Sequence, residues 1–541
     1  MRMTTPMRVA AAAASFALLV TACGGGGDEG DKDAGGGTGS ADPDNPSGGT
    51  FSINLTEPSF LAPAQNCYES ECNKVLSAIN DPLVGIDAET GELQFEGTLA
   101  ESVESNEDKT VWTLKLRDGL TFHNDEPVNA DALMGAWNYS ANPKNEMSTA
   151  GFMTHIEGAG EGETMTGLKK VDDLTVELTL KAPFQAFGQM MSYLPAWAPI
   201  APACLEDIEA CNEAPIGTGP YMMDGKWNHD QGITVTRWEG YQGDRGGQAD
   251  SIEFTMFADS VAAFRGWQGG TLDVLDTLEP TIYAEATGAA GESQLETETS
   301  SLTYMGFPTK TAPFDSKEYR QSFSMAFDRQ AVIDAVLNGQ AKPSTDIPTP
   351  NIPGARDDAC KYCEFNPEEA KKLFAEAGGK EGDTVELIFN AGSGHEGWVE
   401  AIGNELKNNL GINFTMKGME WAQYLELLDA GGAKGPFRLG WSKDYPSPEN
   451  FLRPIVGTGG DVNRSEYSNK ELDDLVTEGD AAATPEEAQE IYAQASDLAL
   501  EDLPLLPLWS GIKTIIWGEN VENIVWDPVE EQVSLGQVIV K

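Results

Sequence analysis

Residues 99 to 133 read LAESVESNEDKTVWTLKLRDGLTFHNDEPVNADAL. From Thr110 to Leu116, Trp112, Leu114 and Leu116 alternate with Thr113 and Lys115, the period-two pattern of a half-buried strand. Asp118-Gly119 follows as a turn signal. The same alternation recurs at Val176, Leu178 and Leu180, and again at Ile252, Phe254 and Met256. Helix starts are equally clear. Asn366 with Pro367 and Glu369, and Thr484 with Pro485 and Glu487, each combine a capping side chain, a proline with preset φ and a capping-box acid. Gly378 is expected to end the first of these, and Gly339 a single apolar-striped helix around Phe323, Phe327 and Val336. Strand and helix signals alternate throughout, without an internal repeat of 20 to 50 residues, so the fold class is α/β.

The chain has 541 residues, 87 acidic against 35 basic, and a formal net charge of −52. Such a balance excludes a phosphate-backbone binder, because nucleic-acid affinity rests on neutralising phosphates with Lys and Arg. The acidity fits a solvated surface, or steering of cationic ligands. The length suggests about three lobes, at roughly 150 residues each. After the N-terminus no apolar run reaches eighteen residues; even Leu503 to Trp517 is broken by Pro504, Pro507 and Lys513.

At the N-terminus, Arg2 and Arg8 precede the apolar run Val9 to Val20 and then Thr21-Ala22-Cys23, the layout of an export signal. As a helix the run spans only ~18 Å against a hydrocarbon core of ~30 Å, too short for an anchor. Cys23 at the cut resembles the lipobox of bacterial lipoproteins, which implies removal of residues 1 to 22 and lipidation of that thiol. The remaining chain would carry a charge of −54, since the two arginines are lost with no acid. Residues 24 to 50 hold eleven glycines and no apolar periodicity, a flexible tether of about 26 to 31 Å r.m.s. span. The expected location is extracytoplasmic, held at the outer face of the cell membrane by lipid alone.

With Cys23 set aside, six cysteines remain as three close pairs: Cys67 and Cys72, Cys204 and Cys211, Cys360 and Cys363. In an oxidising compartment they read as three local disulfides, although six cysteines allow fifteen connectivities. Each small loop would contribute roughly 2 kcal/mol in the chain-entropy model. Cys360-Lys361-Tyr362-Cys363 also has redox or zinc spacing, but without a second pair or a nearby His.

The stretch quoted first resembles the signature of the family 5 extracytoplasmic solute-binding proteins, the oligopeptide and dipeptide receptors of ABC importers. The likeness continues in family order through VDDLTVELTLKAPFQAF (171–187), PIGTGPY (215–221), GGTLDV (269–274), APFDSKEYRQSFSMAFDRQAVIDAVLNG (312–339), NPEEAKKLFAEAG (366–378) and GWSKDYPSPENFL (440–452). The resemblance implies a two-lobed periplasmic-binding-protein-like clamp of type II, in the large peptide-binding subclass, with an extra inserted domain. Mapped here, the first lobe would be residues 51–82, 206–300 and 510–541, the insert 83–205 and the opposing lobe 301–509. The family closes on its ligand by hinge bending. The expected function is capture of peptides outside the cell and delivery to an ABC transporter permease, as a monomer. An oligosaccharide, nickel or haem complex is the alternative cargo, and a hydrolase or sensor a remote one.

A receptor must pair a buried ligand charge inside its cleft. By resemblance, Asp444 receives the ligand's α-ammonium, Trp441 and Tyr445 lie beside it, and Trp421 in Glu420-Trp421-Ala422-Gln423-Tyr424 supplies a further pocket aromatic. Lys443 departs from the small residue usual there, and pointed inward it would partly neutralise Asp444. His123, His155, His229 and His395 are scattered, and neither G-x-S-x-G nor H-E-x-x-H occurs. The expectation is therefore a binding protein, not an enzyme, with no metal and no cofactor.

Overall fold

The computed structural model describes residues 46–541. The export signal, Cys23 and most of the tether lie outside the described residues. The strand expectations hold: Val111–Leu116 buries Trp112, Leu114 and Leu116, Thr175–Thr179 buries Val176 and Leu178, and Ser251–Met256 buries Ile252 and Phe254. Alternate residues of each therefore enter a core.

The capped helices start where the sequence places them. Asn366 accepts from the Glu369 N–H at 3.1 Å at the head of Pro367–Glu376, and Thr484 accepts from the Glu487 N–H at 3.3 Å before Pro485–Asp502. The expected single helix ending at Gly339 is instead two, Lys317–Met325 and Arg329–Val336. Asp328 adopts an extended backbone and its carboxylate accepts from the Ala331 N–H, so it caps the second helix and breaks the first. The apolar stripe runs across the break and conceals it.

One 11-stranded sheet passes through most of the chain. At one end lie Asn413–Met419, Thr384–Asn390 and Phe437–Ser442; at the other lie Val274–Leu275, Thr50–Leu55, Ser251–Met256, Gly232–Arg237 and Tyr221–Met223. Between them run two antiparallel strands of 13 residues each, Gln294–Gly306 and Leu505–Trp517, and the short strand Ala341–Pro343 pairs with the latter off this path. Their register shifts between Glu298 and Leu302. Before the shift, Leu295 and Ile515 pack with a core built from residues 51–79, 221–274 and 515–538 together with Leu194 and Ala198. Beyond it, Leu302, Tyr304, Leu506 and Trp509 belong to a second core built from residues 302–509. The irregularity thus falls where the strand pair passes from one core to the other. A third core, residues 83–211 with Tyr445, surrounds a separate four-stranded antiparallel sheet and the helix Ala130–Ala141.

Cys67–Cys72, Cys204–Cys211 and Cys360–Cys363 are all bonded, as their spacing suggested. Among the described residues, no helix is long and apolar enough to cross a membrane and no cluster of three His, Cys, Asp or Glu is arranged for a metal ion.

Candidate functional site

The strand Phe437–Ser442 delivers Trp441 and then a turn, Lys443 to Ser447, that leads into the helix Glu449–Val456. Proline at 446 and 448 denies this turn backbone donors and favours extended residues before each ring. Asn450 fixes the turn from inside. Its side-chain oxygen accepts from the Asp444 N–H at 2.9 Å, while its Nδ2 donates to Asp444 Oδ2 at 3.2 Å. The other carboxylate oxygen accepts from the Tyr68 hydroxyl at 3.4 Å. No cation pairs with Asp444 among the described residues.

Two cavities meet at Asp444. The larger, about 790 Å³, runs from Tyr68 and Trp441 past His155, Asn450 and Arg453 to the glycine-rich loop Gly457–Gly460. The smaller, about 570 Å³, lies between Tyr193, Lys443, Lys513 and Glu531. Tyr68, Trp441 and Asp444 line both, so the two form one cleft divided at the carboxylate. All three cores contribute walls. A cleft of this size, mostly apolar with a few placed polar groups, is the usual form of a small-ligand site.

Burial pushes the Asp444 carboxyl up to about 6; the hydrogen bonds from Asn450 and Tyr68 oppose this, and the charge of Glu449 adds to it. The Tyr193 phenol, stacked on Phe152 at 4.9 Å between centroids, is held neutral by burial and by the nearby Asp444 charge. Burial likewise lowers His155, which stacks on Phe184 and stays uncharged at neutral pH. The Trp441 indole N–H is buried with no acceptor among the described residues. An unmet donor of this kind costs about 1 to 3 kcal/mol and is satisfied if a ligand acceptor reaches it.

The sequence-predicted residues part company here. Asp444, Trp441 and Tyr445 come together. Tyr445 turns into the third core, and its hydroxyl donates to Glu449 at 2.5 Å; Glu449 also accepts from Arg453, which grips Asp480, itself bonded by the Tyr492 hydroxyl. Tyr445, Glu449 and Arg453 of this network line the larger cavity. Trp421 stands at the start of the helix Trp421–Asp429, 47% exposed and outside both cavities. Lys443 does not turn to Asp444: its Nζ donates to the Pro528 carbonyl at 2.6 Å and lies 3.3 Å from Glu531. With its side chain only 4% exposed, that lysine joins the turn to the C-terminal segment.

Sequence reasoning missed Asn450, Tyr68 and Tyr193. Asn450 lies within the quoted segment 440–452, six residues after Asp444, a reach across one turn and the first helical turn. Tyr68 sits inside the Cys67–Cys72 loop, and the disulfide that holds that loop was its only local signal. His123 serves the fold. Its Nδ1 accepts from the Gly217 N–H at 3.2 Å, which leaves Nε2–H to donate to the Gly219 carbonyl at 3.1 Å, and burial lowers it to about 4.

Comparison with known proteins gives a consistent result. The family model for bacterial extracellular solute-binding proteins, family 5, middle region, matches residues 94–463. The oligopeptide-binding protein OppA of Bacillus subtilis is 25% identical, over 94% of this chain and 95% of its own. The dipeptide-binding protein DppE of the same organism is 27% identical, over 83% and 85%. Among solved structures, the ABC transporter substrate-binding protein CtaP of Listeria monocytogenes superposes with a TM-score of 0.79 at 22% identity, over 91% of this chain and 99% of its own.

Proposed function

The chain belongs to the family 5 bacterial extracellular solute-binding proteins, and from that premise we propose that it captures peptides outside the membrane and presents them to the permease of an ABC importer. One observation carries the choice of peptide: Asp444, a carboxylate without a cation partner among the described residues, sits between the aromatic walls of Tyr68, Tyr193 and Trp441 where two cavities meet. An α-ammonium placed there would be paired and desolvated at once, while the flat rings take varied side chains with little discrimination. Peptide-binding relatives such as OppA and DppE support this reading.

In it, residues 51–82, 206–300 and 510–541 form one jaw with 83–205 inserted, and 301–509 form the other. Asp444 and Trp441 hold the ligand, and Tyr445 braces the floor through Glu449. Trp421 reaches the ligand only when the jaws close. The protein works as a monomer, and lipid on Cys23 keeps it beside its importer; two or more acyl chains suffice, at about 0.8 kcal/mol per buried CH₂.

Native mass spectrometry of the gently purified, detergent-extracted protein tests both parts. A co-purified peptide and a lipid mass on Cys23 are expected. A bound sugar, haem or metal complex would overturn the peptide reading, and an unmodified N-terminal cysteine the anchor.

The Asp444 carboxyl also makes binding pH-dependent. Above pH 6 it is ionised and pairs an ammonium; below, it takes a proton and loses that attraction. Peptide affinity measured by calorimetry should fall roughly tenfold between pH 7.5 and pH 5. A flat profile over that range would remove Asp444 from the ammonium site.

A further inference from the structure

We propose that the smaller cavity is a second ligand subsite, in which Lys513 receives a carboxylate carried two or three residues away from the ammonium held at Asp444. This deepens the peptide reading of the same cleft and rests on it.

Lys513 is a cation in excess. Its nearest acid, Asp276 at 3.7 Å, is already paired with the buried Lys74, whose Nζ lies 2.8 Å away and also donates to the Asn54 carbonyl at 3.0 Å. Asp276 accepts from the Thr277 hydroxyl as well, at 3.2 Å, so it stays satisfied if Lys513 swings aside. The other acids of the smaller cavity, Asp444 apart, are engaged elsewhere: Glu531 by Lys443 and the Ser300 N–H, Glu530 by Arg245 at 3.2 Å, and Glu69 by Ser59. Among the described residues Asp276 alone lies in ion-pair range of Lys513, whose ammonium rests 5.3 Å from the centre of the Trp526 ring. A half-buried ammonium with unused donors gains most from an anion.

The wall around it is unmet in the same way. Among the described residues the Trp441 indole N–H has no acceptor and the Asn73 side-chain oxygen no donor, and both residues line this cavity. With Asp444 and Lys513, the cavity thus presents a carboxylate, an ammonium, a donor and an acceptor that await partners. A short peptide brings one group for each: its ammonium, its carboxylate, a carbonyl and an amide N–H.

Strand spacing sets the length. Phe437–Ser442 and Leu505–Trp517 flank Gln294–Gly306 and are both antiparallel to it. Ser442 pairs with Ser301, and Gly511 stands against Thr299, whose hydroxyl donates to the Gly511 carbonyl at 3.2 Å. Asp444 and Lys513 each lie two residues further on. Their backbones are therefore two strand spacings apart, about 10 Å, which an extended chain of about three residues covers at ~3.3 to 3.6 Å each. The reach of the lysine side chain brings two residues within range.

Calorimetry at one pH and ionic strength, with Ala-Ala-Ala and Ala-Ala-Ala-amide, tests this on the purified protein and on Lys513→Gln, which should fold because Asp276 keeps Lys74. Amidation should weaken binding to the parent at least tenfold and to Lys513→Gln less than twofold, and Lys513→Arg should restore the tenfold penalty. A lysine that served only the fold would change the melting temperature of the variant and leave that ratio as it was. Ala-Glu-Ala-amide separates the two sources of a carboxylate: recovered affinity means that an acidic side chain fills the subsite, and no recovery that the chain terminus alone does. If amidation costs the parent less than twofold, or costs parent and Lys513→Gln equally, the subsite is overturned, while the peptide reading stands as long as Ala-Ala-Ala binding depends on Asp444. If none of the peptides binds, both fail.

Discussion

Replacing Asp444 by alanine is expected to weaken peptide binding by about 2 to 5 kcal/mol, the usual loss on truncating one partner of a desolvated charge pair. Asparagine at the same position should separate binding from folding. The folded carboxyl is raised to about 6, above its ordinary value of 3.8, chiefly by burial. The sign follows directly. A carboxyl raised by folding favours the native state only while protonated: that contribution is complete below pH 4 and is lost as pH rises through 6, so at pH 7 the ionised group destabilises the ligand-free protein. Two units correspond to about 3 kcal/mol at most. Asp444→Asn should therefore raise the melting temperature of the ligand-free protein at pH 7, leave it unchanged at pH 4, and still lose the ligand. A variant that is destabilised at pH 7 and binds normally would show that this carboxylate serves the fold instead.

The second large effect is expected at Gly217, in the segment Pro215 to Tyr221. A Cβ there would stand 1.8 Å from the Ile79 carbonyl oxygen and 2.7 Å from its carbon. Both are backbone atoms, so no side-chain rotation relieves the clash. The contact joins three parts of the chain. Ile79 ends the helix Ser70–Ile79, its carbonyl accepts from the Gly219 N–H at 2.9 Å, and the Gly217 carbonyl accepts from the His123 N–H at 3.0 Å. Alanine must push these apart, at about 3 kcal/mol or more, beyond ordinary overpacking. Denaturant unfolding should show a lower midpoint with an unchanged slope. A midpoint within experimental error of the parent would mean that the joint is far more yielding than its geometry implies.

Much of the fold was legible because its signals are local. Trp112, Leu114 and Leu116 reveal their strand through alternation alone, and Asn366 and Thr484 cap helices with their own side chains. The cysteines pair across three to seven residues, so spacing sufficed. The helix break at Asp328 was hidden because Phe323, Phe327 and Val336 keep an apolar stripe through it, and a cap depends on backbone geometry that a stripe does not report. The site was legible in part. Resemblance pointed to Asp444 and Trp441, which both line the cleft, but Tyr68 reaches Asp444 from 376 residues away, and no local pattern encodes that distance. Lys443 shows the same limit: its type was visible, while its direction depends on Pro528 and Glu531, at the far end of the chain.

The register shift between Glu298 and Leu302 has a mechanical meaning. Ser301 pairs with Ser442, and Asp444 stands two residues further on, so the carboxylate is mounted beside the place where the long strand pair crosses from one core to the other. For rotation about that crossing, displacement grows with distance from the axis. Under such a rotation Asp444 would lie at short radius and be displaced little, while more distant walls would sweep through larger arcs. In the proposed reading, an arriving ammonium would then be moored at a nearly stationary post while the jaws are still apart, and enclosure would follow around cargo already held by its charge.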